Sequence, residues 1–132
     1  MIGIDTNVLV RFLVDDDPDQ NAAARRFMLA RTADDPAFVS AIALAETVWL
    51  LHRQMKFPMH QIVDMLRSLL AADGLVIEYA EQLDRLLNGM GGPAGDLADN
   101  LVVWSGDRAG CRSTVTFDKK TARAVAGMEL LT

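Results

Sequence analysis

Carboxylate side chains stand at four places along the chain where folding could bring them together. Asp5 and Asp118 each directly follow a short apolar segment, Glu46 lies within an apolar helical segment, and Asp96 and Asp99 begin another helical segment. Carboxylate oxygens are the ligands that favour Mg²⁺ or Mn²⁺ over Zn²⁺, and the sequence contains no cluster of His or Cys. A dication held in this way could activate water for phosphodiester hydrolysis.

Each of these acids also has an ordinary structural interpretation. Asp5 and Asp118 could simply cap the helices that follow them, while Asp96 suits an N-cap and Asp99 the third helical position. Glu46 could be solvated on a narrow polar stripe, although its apolar neighbours suggest burial, which is costly for an unpaired carboxylate. Two bare charges ~4 Å apart repel by about 4 kcal/mol at an effective dielectric of about 20, so a shared dication is the common explanation.

The elements that must position these acids alternate along the chain. Strands are predicted over residues 2–4, 37–39, 75–77 and 113–117, with a short fifth strand over 129–131. Helices are predicted over residues 7–14, 19–32, 41–54, 58–72, 80–87, 96–109 and 119–126, and a loop over 88–95. The segment before Asp118, Thr114 to Phe117, has the pattern of a buried strand.

This alternation predicts an α/β fold, a three-layer α/β/α sandwich whose central, mostly parallel sheet has four to five short strands. Ligands in such sheets bind beyond the carboxyl ends of the strands, where Asp5 and Asp118 are placed. The length of 132 residues predicts one domain over 1–132.

The composition limits which partners are possible. The chain carries 18 acids, 14 of them Asp, against 13 Lys and Arg, giving a net charge of −5. An acidic protein does not hold nucleic acid by bulk electrostatics, so any such function needs a local site where metal ions supply positive charge. The single cysteine, Cys111, and the lack of a signal peptide or apolar span favour the cytoplasm and no membrane association.

The other motifs are weak. The chain lacks a P-loop and a nucleophile elbow, and the glycines of the 88–95 loop follow a helix rather than a strand, which disfavours a dinucleotide site. A basic C-terminal region could position a phosphate backbone, although a solvated basic face is the more common meaning. Its members are Arg108, Arg112, Lys119, Lys120 and Arg123.

Four motifs in order resemble those of the PIN-domain family, and most closely those of VapC-type toxins from toxin–antitoxin pairs. The resemblance spans essentially the whole chain. The motifs are Asp5-Thr6-Asn7-Val8-Leu9, Ala43-Leu44-Ala45-Glu46-Thr47, Asp96-Leu97-Ala98-Asp99 and Thr116-Phe117-Asp118.

The resemblance implies a PIN-like fold, Mg²⁺- or Mn²⁺-dependent RNA cleavage that leaves 5′-phosphate and 3′-hydroxyl ends, a homodimer, and inhibition by a small cognate antitoxin. It implies a catalytic quartet of Asp5, Glu46, Asp99 and Asp118, with Asp96 as an auxiliary metal ligand. Asn7 and Thr116 would be polar supports. A partner segment covering the acidic pocket could place an Arg against the carboxylates.

Two other functions stay open at this point. The same fold could be an RNA-processing nuclease without an antitoxin, which the neighbouring gene would distinguish. It could also be a non-catalytic binding module, which need not bind Mn²⁺ at all.

Overall fold

A computed structural model describes residues 1–89 and 96–132, so residues 90–95 of the predicted 88–95 loop lie outside the described residues. The chain forms two compact units, Met1–Ala80 and Glu81–Thr132. They are called the N-terminal unit and the C-terminal unit below, and each is described by itself.

The N-terminal unit is built on three parallel strands joined by helices. The strands are β1 (Ile2–Ile4), β2 (Ala37–Val39) and β3 (Leu75–Ile77). They lie in the order β1-β2-β3, and both pairings are parallel. The helices are α1 (Thr6–Leu13), α2 (Pro18–Leu29), α3 (Ala41–Trp49) and α4 (Met59–Leu70).

Side-chain caps mark the start of α1, α2 and α3, whereas α4 follows Pro58 without a side-chain cap. Asp17 accepts a hydrogen bond from the backbone N–H of Gln20 and is followed by Pro18, whose fixed φ suits the first helical position. Ser40 caps α3 in the same way, its Oγ accepting from the N–H of Ala43 at 3.1 Å. The core beneath the helices is aliphatic, with fully buried Leu9, Val39, Leu44, Leu51, Ile62 and Leu69.

The third predicted helix is shorter than the predicted range 41–54. The α-helical hydrogen bonds of α3 end at Trp49, and Leu50–Gln54 continue as a single π-helical turn. Met55 donates its N–H to the carbonyl of Leu50, and Lys56 then takes a positive φ of 62°. The apolar periodicity runs through both segments because Leu51 stays buried in the wider turn, so the sequence pattern does not reveal the change.

The C-terminal unit contains a second, two-stranded sheet. Its elements are α5 (Ala80–Leu87, which begins at the boundary residue), α6 (Leu97–Ala109), β4 (Thr114–Thr116), α7 (Lys119–Ala124) and β5 (Met128–Leu130). β4 and β5 are parallel, with Thr114 opposite Met128. The helix α6 ends at Gly110, whose φ of 95° forms a left-handed cap, and the following Cys111 is exposed.

The predicted α/β class is confirmed, since short strands alternate with helices and every strand pairing in the described residues is parallel. The prediction of a buried strand before Asp118 is wrong. Val115 and Phe117 are 57% and 80% exposed, so the segment before Asp118 is not a buried strand. In the described part of the chain, no helix is both long and apolar enough to span a membrane.

Candidate functional site

Polar residues directly follow all three strands of the N-terminal sheet. The last residues of the strands are paired in register, so Asp5, Ser40 and Glu78 come next along the same edge. This is the carboxyl edge, where parallel sheets form their ligand sites. Of these three residues, Asp5 is a site residue predicted from the sequence, whereas Glu78 is not.

Asp5 caps α1 from this edge. Its Oδ1 accepts a hydrogen bond from the N–H of Val8 at 3.1 Å, and its side chain is exposed. Asn7, the predicted polar support, is also exposed, and both residues line a cavity of about 670 Å³ bounded by β1, α1 and α2. The capping role expected as the ordinary interpretation is therefore present, and it leaves Asp5 open to solvent.

Glu78 ties the end of β3 to the start of α3. Its Oε1 accepts a hydrogen bond from the N–H of Ala41 at 2.7 Å, while its own N–H donates to the carbonyl of Val39. A carboxylate at a helix N-terminus also interacts favourably with the helix dipole. The signal that could have revealed Glu78 is its position directly after a strand, which it shares with Asp5.

Glu46 lies on the outer face of α3. Its side chain is exposed, and Ile42 and Trp49, one helical turn away on either side, are 83% and 53% exposed. The expected cost of burying this carboxylate does not arise. The buried polar neighbour is instead Thr47, which is fully buried and whose Oγ1 has no hydrogen-bond partner in the described part of the chain.

In the C-terminal unit, Asp96 and Asp99 sit at the start of α6. Asp96 is the N-cap, its Oδ1 accepting from the N–H of Ala98 at 2.7 Å. The buried Asn100 donates from Nδ2 to the backbone carbonyl of Asp96 at 3.0 Å, which fixes the first turn. Asp99 is half-buried, as expected for an acid on the same helical face as Asn100.

Asp118 caps α7 at the carboxyl end of β4. Its Oδ1 accepts from the N–H of Thr121 at 3.0 Å, and its own N–H donates to Oγ1 of Thr116 at 3.1 Å. Thr116, the second predicted polar support, therefore holds the backbone that carries Asp118.

Asp96, Asp99 and Asp118 of the C-terminal unit interact electrostatically, and they are called the aspartate cluster below. Burial raises the pKa of Asp99, and the negative charges of Asp96 and Asp118 raise it further. Hydrogen bonding from the backbone of Thr121 lowers the pKa of Asp118, which desolvation opposes. The pKa of Asp118 consequently lies below that of Asp99, which loses its proton beside a charged Asp118.

A comparison with protein families assigns the chain to a family. The PIN domain family matches residues 2–127. The chain belongs to the PIN domain family. PIN domains are generally metal-dependent nucleases, so this chain has a nuclease fold, and its α/β elements with parallel strands agree with the PIN-like α/β/α architecture. No curated protein matches the chain.

The donor chemistry of this PIN domain fits a hard dication. Burial raises the pKa of Asp99, and like-charge repulsion from Asp96 and Asp118 raises it further; a bound cation would relieve that repulsion. Within residues 1–89 and 96–132, however, no group of three or more His, Cys, Asp or Glu side chains is arranged to hold a metal by itself. Mg²⁺ tolerates this, because it commonly retains several waters and uses only one or two carboxylates.

The predicted site residues thus fall into two sets. Asp96, Asp99 and Asp118 influence one another in the C-terminal unit, with Thr116 in support. Asp5, Asn7 and Glu46 belong to the N-terminal unit. The convergence of all four predicted acidic positions of the PIN domain on one metal stays a prediction.

Proposed function

We propose that this PIN domain is a divalent-metal-dependent endoribonuclease and the toxin of a type II toxin–antitoxin pair. The observation that supports it best is the aspartate cluster, where burial and then the negative charges of Asp96 and Asp118 raise the pKa of the half-buried Asp99. Like charges gathered in this way are typical of sites that function with a bound cation.

Each acid has a stated part in this proposal. Asp99 and Asp118 hold Mg²⁺ or Mn²⁺ with Asp96 as the auxiliary ligand, and Asp5 adds a further carboxylate. Glu46 binds the ion or orients the attacking water through its hydrogen bonds. When bound, the ion supplies Lewis acidity that lowers the pKa of water and stabilises the leaving oxygen of an in-line displacement. The capping hydrogen bonds of Asp96 and Asp118 fix their backbones before any ligand arrives.

RNA cleavage in the presence and absence of metal tests the proposal. We expect cleavage with Mg²⁺ or Mn²⁺, none in EDTA, and a loss of at least about 100-fold in Asp5→Asn, Asp99→Asn and Asp118→Asn. Asp107→Asn is the matched control, because Asp107 is an exposed aspartate at the other end of α6. Undiminished cleavage in EDTA or in Asp99→Asn would overturn the metal-dependent reaction.

Metal binding measured by calorimetry separates the nuclease from a non-catalytic module. Binding of Mn²⁺ to the wild-type chain, weakened in Asp99→Asn and retained in Asp107→Asn, supports the nuclease. A chain that binds no Mn²⁺ and cleaves no RNA would be a binding module with a PIN fold.

The antitoxin in this proposal is a small protein with a segment that covers the acidic site. The cavity beside Asp5 has room for several side chains, and Ala23 lines it. We expect Ala23→Arg to weaken the complex with the product of the adjacent gene. Ala22→Arg places the same charge one residue earlier, at an exposed position outside the cavity lining, and should leave the complex intact.

The remaining parts of the proposal are a homodimer and a cytoplasmic location. Light scattering of the free protein measures the first, with a dimer mass expected. The exposed thiol of Cys111 is compatible with a reducing compartment. An isolated gene without a small upstream partner would favour an RNA-processing nuclease that has no antitoxin.

A further inference from the structure

The β4–β5 sheet has one covered face and one open face. The helix α6 packs against the covered face. The contact is close at Gly106, where an added Cβ would lie 3.4 Å from Oγ1 of Thr114. Side chains alternate along a strand, so Val115 points away from α6, and it is 57% exposed. Phe117 follows the strand and is 80% exposed.

Phe117 is highly exposed, and its neighbours distinguish it from the other exposed apolar residues. It lies between Thr116 and Asp118, the two residues whose hydrogen bond fixes the carboxyl end of β4. A large aromatic ring held next to a proposed ligand of the metal is therefore open to a binding partner. Single exposed apolar residues are common and need no explanation by themselves, so the charge around the ring must indicate the partner.

The charge that follows Phe117 is positive. Lys119, Lys120 and Arg123 of α7 are all exposed. Within the described residues, no carboxylate forms an ion pair with any of them. Lys119 and Lys120 directly follow Asp118 and form the first residues of α7, which places both cations beside the aspartate cluster.

We propose that Phe117 stacks on one nucleobase of a single-stranded RNA, while Lys119 and Lys120 contact the adjacent phosphates. Exposed aromatic rings beside cations are how proteins bind single strands, since every base has a face to stack and every linkage carries a charge. An apolar protein segment would not require the free cations. This inference rests on the proposed function, because it names how the RNA substrate is held beside the site.

Binding of a short fluorescein-labelled single-stranded RNA in EDTA tests the stacking. We expect Phe117→Ala to weaken binding about tenfold and Phe117→Leu to weaken it similarly, while Phe117→Trp retains it, because a flat ring is required. Val115→Ala is the matched control, because Val115 is an exposed apolar residue of the preceding strand β4, and it should change affinity less than about twofold.

A series of RNAs with one abasic position each provides a readout that a merely structural role would not affect. The wild-type chain should lose affinity when the abasic position removes the stacked base. Phe117→Ala should be insensitive to the same change, since the ring that would detect it is gone. Should Phe117→Ala fail to fold, the comparison of Phe117→Leu with Phe117→Trp gives the same information.

Cleavage of the same RNA in Mn²⁺ keeps this inference separate from the proposed function. Phe117→Ala should raise KM about tenfold while changing kcat less than about twofold, because the ring binds substrate without touching the reacting atoms. A wild-type chain that binds RNA through Phe117 and never cleaves it would overturn the nuclease alone. Equal RNA binding by wild type and Phe117→Ala, leucine as effective as tryptophan, or a changed oligomeric mass in Phe117→Ala would overturn the stacking.

Discussion

The ionised carboxylate of Asp99 is in an unfavourable environment in the metal-free folded chain. Burial and two like charges raise its pKa above the ordinary value of 3.8, so its ionised form is less favourable in the folded state than in the unfolded state. At Asp99 the folded chain therefore binds more protons than the unfolded chain between pH 3.8 and the raised pKa, and the contribution of Asp99 to stability falls as pH rises through that range.

Asp99→Asn removes this unfavourable negative charge without changing the shape of the side chain. Without divalent ions at neutral pH, we expect it to raise the free energy of unfolding by roughly 0.5 kcal/mol, a value limited by solvent screening. Its denaturation midpoint should also lose part of the fall between acid and neutral pH. Asp73→Asn, which removes an exposed charge from the turn before β3, is the control. A lower stability for Asp99→Asn at neutral pH would contradict the assigned repulsion.

Thr47 presents the opposite case, a neutral group with an unmet hydrogen bond. Its side chain is fully buried, and Oγ1 has no partner among the described residues. Thr47→Val keeps the shape and removes the desolvated hydroxyl, so we expect a gain of about 1 kcal/mol in chemical denaturation. Thr47→Ser keeps the hydroxyl and loses a methyl group, and a loss of about 1 kcal/mol is expected.

At the scale of secondary-structure elements, the packing of α6 over the second sheet depends on one glycine. Gly127 precedes β5 with a φ of 92°, and a Cβ built there would lie 2.7 Å from Cγ1 of Val103. The absence of a side chain lets the strand approach the helix that carries Asp99. The position is therefore constrained by backbone conformation and by contact at once.

A comparison of two glycines separates these constraints. Gly110 has a similar φ of 95°, but nothing lies within 4 Å of its built Cβ. We expect Gly110→Ala to cost about 1 kcal/mol from conformation alone, and Gly127→Ala to cost at least about 1 kcal/mol more through the contact with Val103. Gly127→Ala combined with Val103→Ala should recover part of that excess relative to Val103→Ala alone. Equal costs for the two glycine variants would show that the contact is unimportant.

Much of the fold follows from local chemistry in the sequence. Three strands occupy the predicted ranges, and Asp96, Ser40 and Asp118 act as caps, because short apolar runs and capping side chains are read from neighbours alone. The orientation of α3, which leaves Glu46 exposed, depends on tertiary packing. The exposure of Val115 and Phe117 could not be predicted either, because an apolar segment does not reveal which of its side chains the tertiary fold leaves in solvent.

At the scale of the whole molecule, charge opposes RNA binding. A net charge of −5 repels a polyanion, so the cations of α7 must act locally. If Lys119 and Lys120 contact phosphates, the logarithm of the affinity for single-stranded RNA should fall against the logarithm of salt concentration with a slope of about −1.4.

The double variant Lys119→Gln/Lys120→Gln tests this locality. We expect its slope to be about 1.4 smaller in magnitude than that of the wild type. Arg25→Gln/Arg26→Gln removes the same charge from exposed positions of α2 and should leave the slope unchanged. Equal slopes for the two double variants would mean that RNA affinity depends only on the net charge of the protein.

The lone exposed thiol at the end of α6 offers a spectroscopic ruler. Cys111 follows the cap of α6 and folds back beside Gly106, with its Sγ 3.8 Å from a Cβ built on that glycine. Gly106 lies about two helical turns beyond Asp99, and about 1.5 Å of rise per residue puts the thiol on the order of 10–15 Å from Asp99. A nitroxide attached to Cys111 would therefore sit within magnetic reach of paramagnetic Mn²⁺ bound near Asp99, and its resonance would broaden as the ion is added. The wild-type sequence, with its single cysteine, can thus report where manganese binds before any residue is changed.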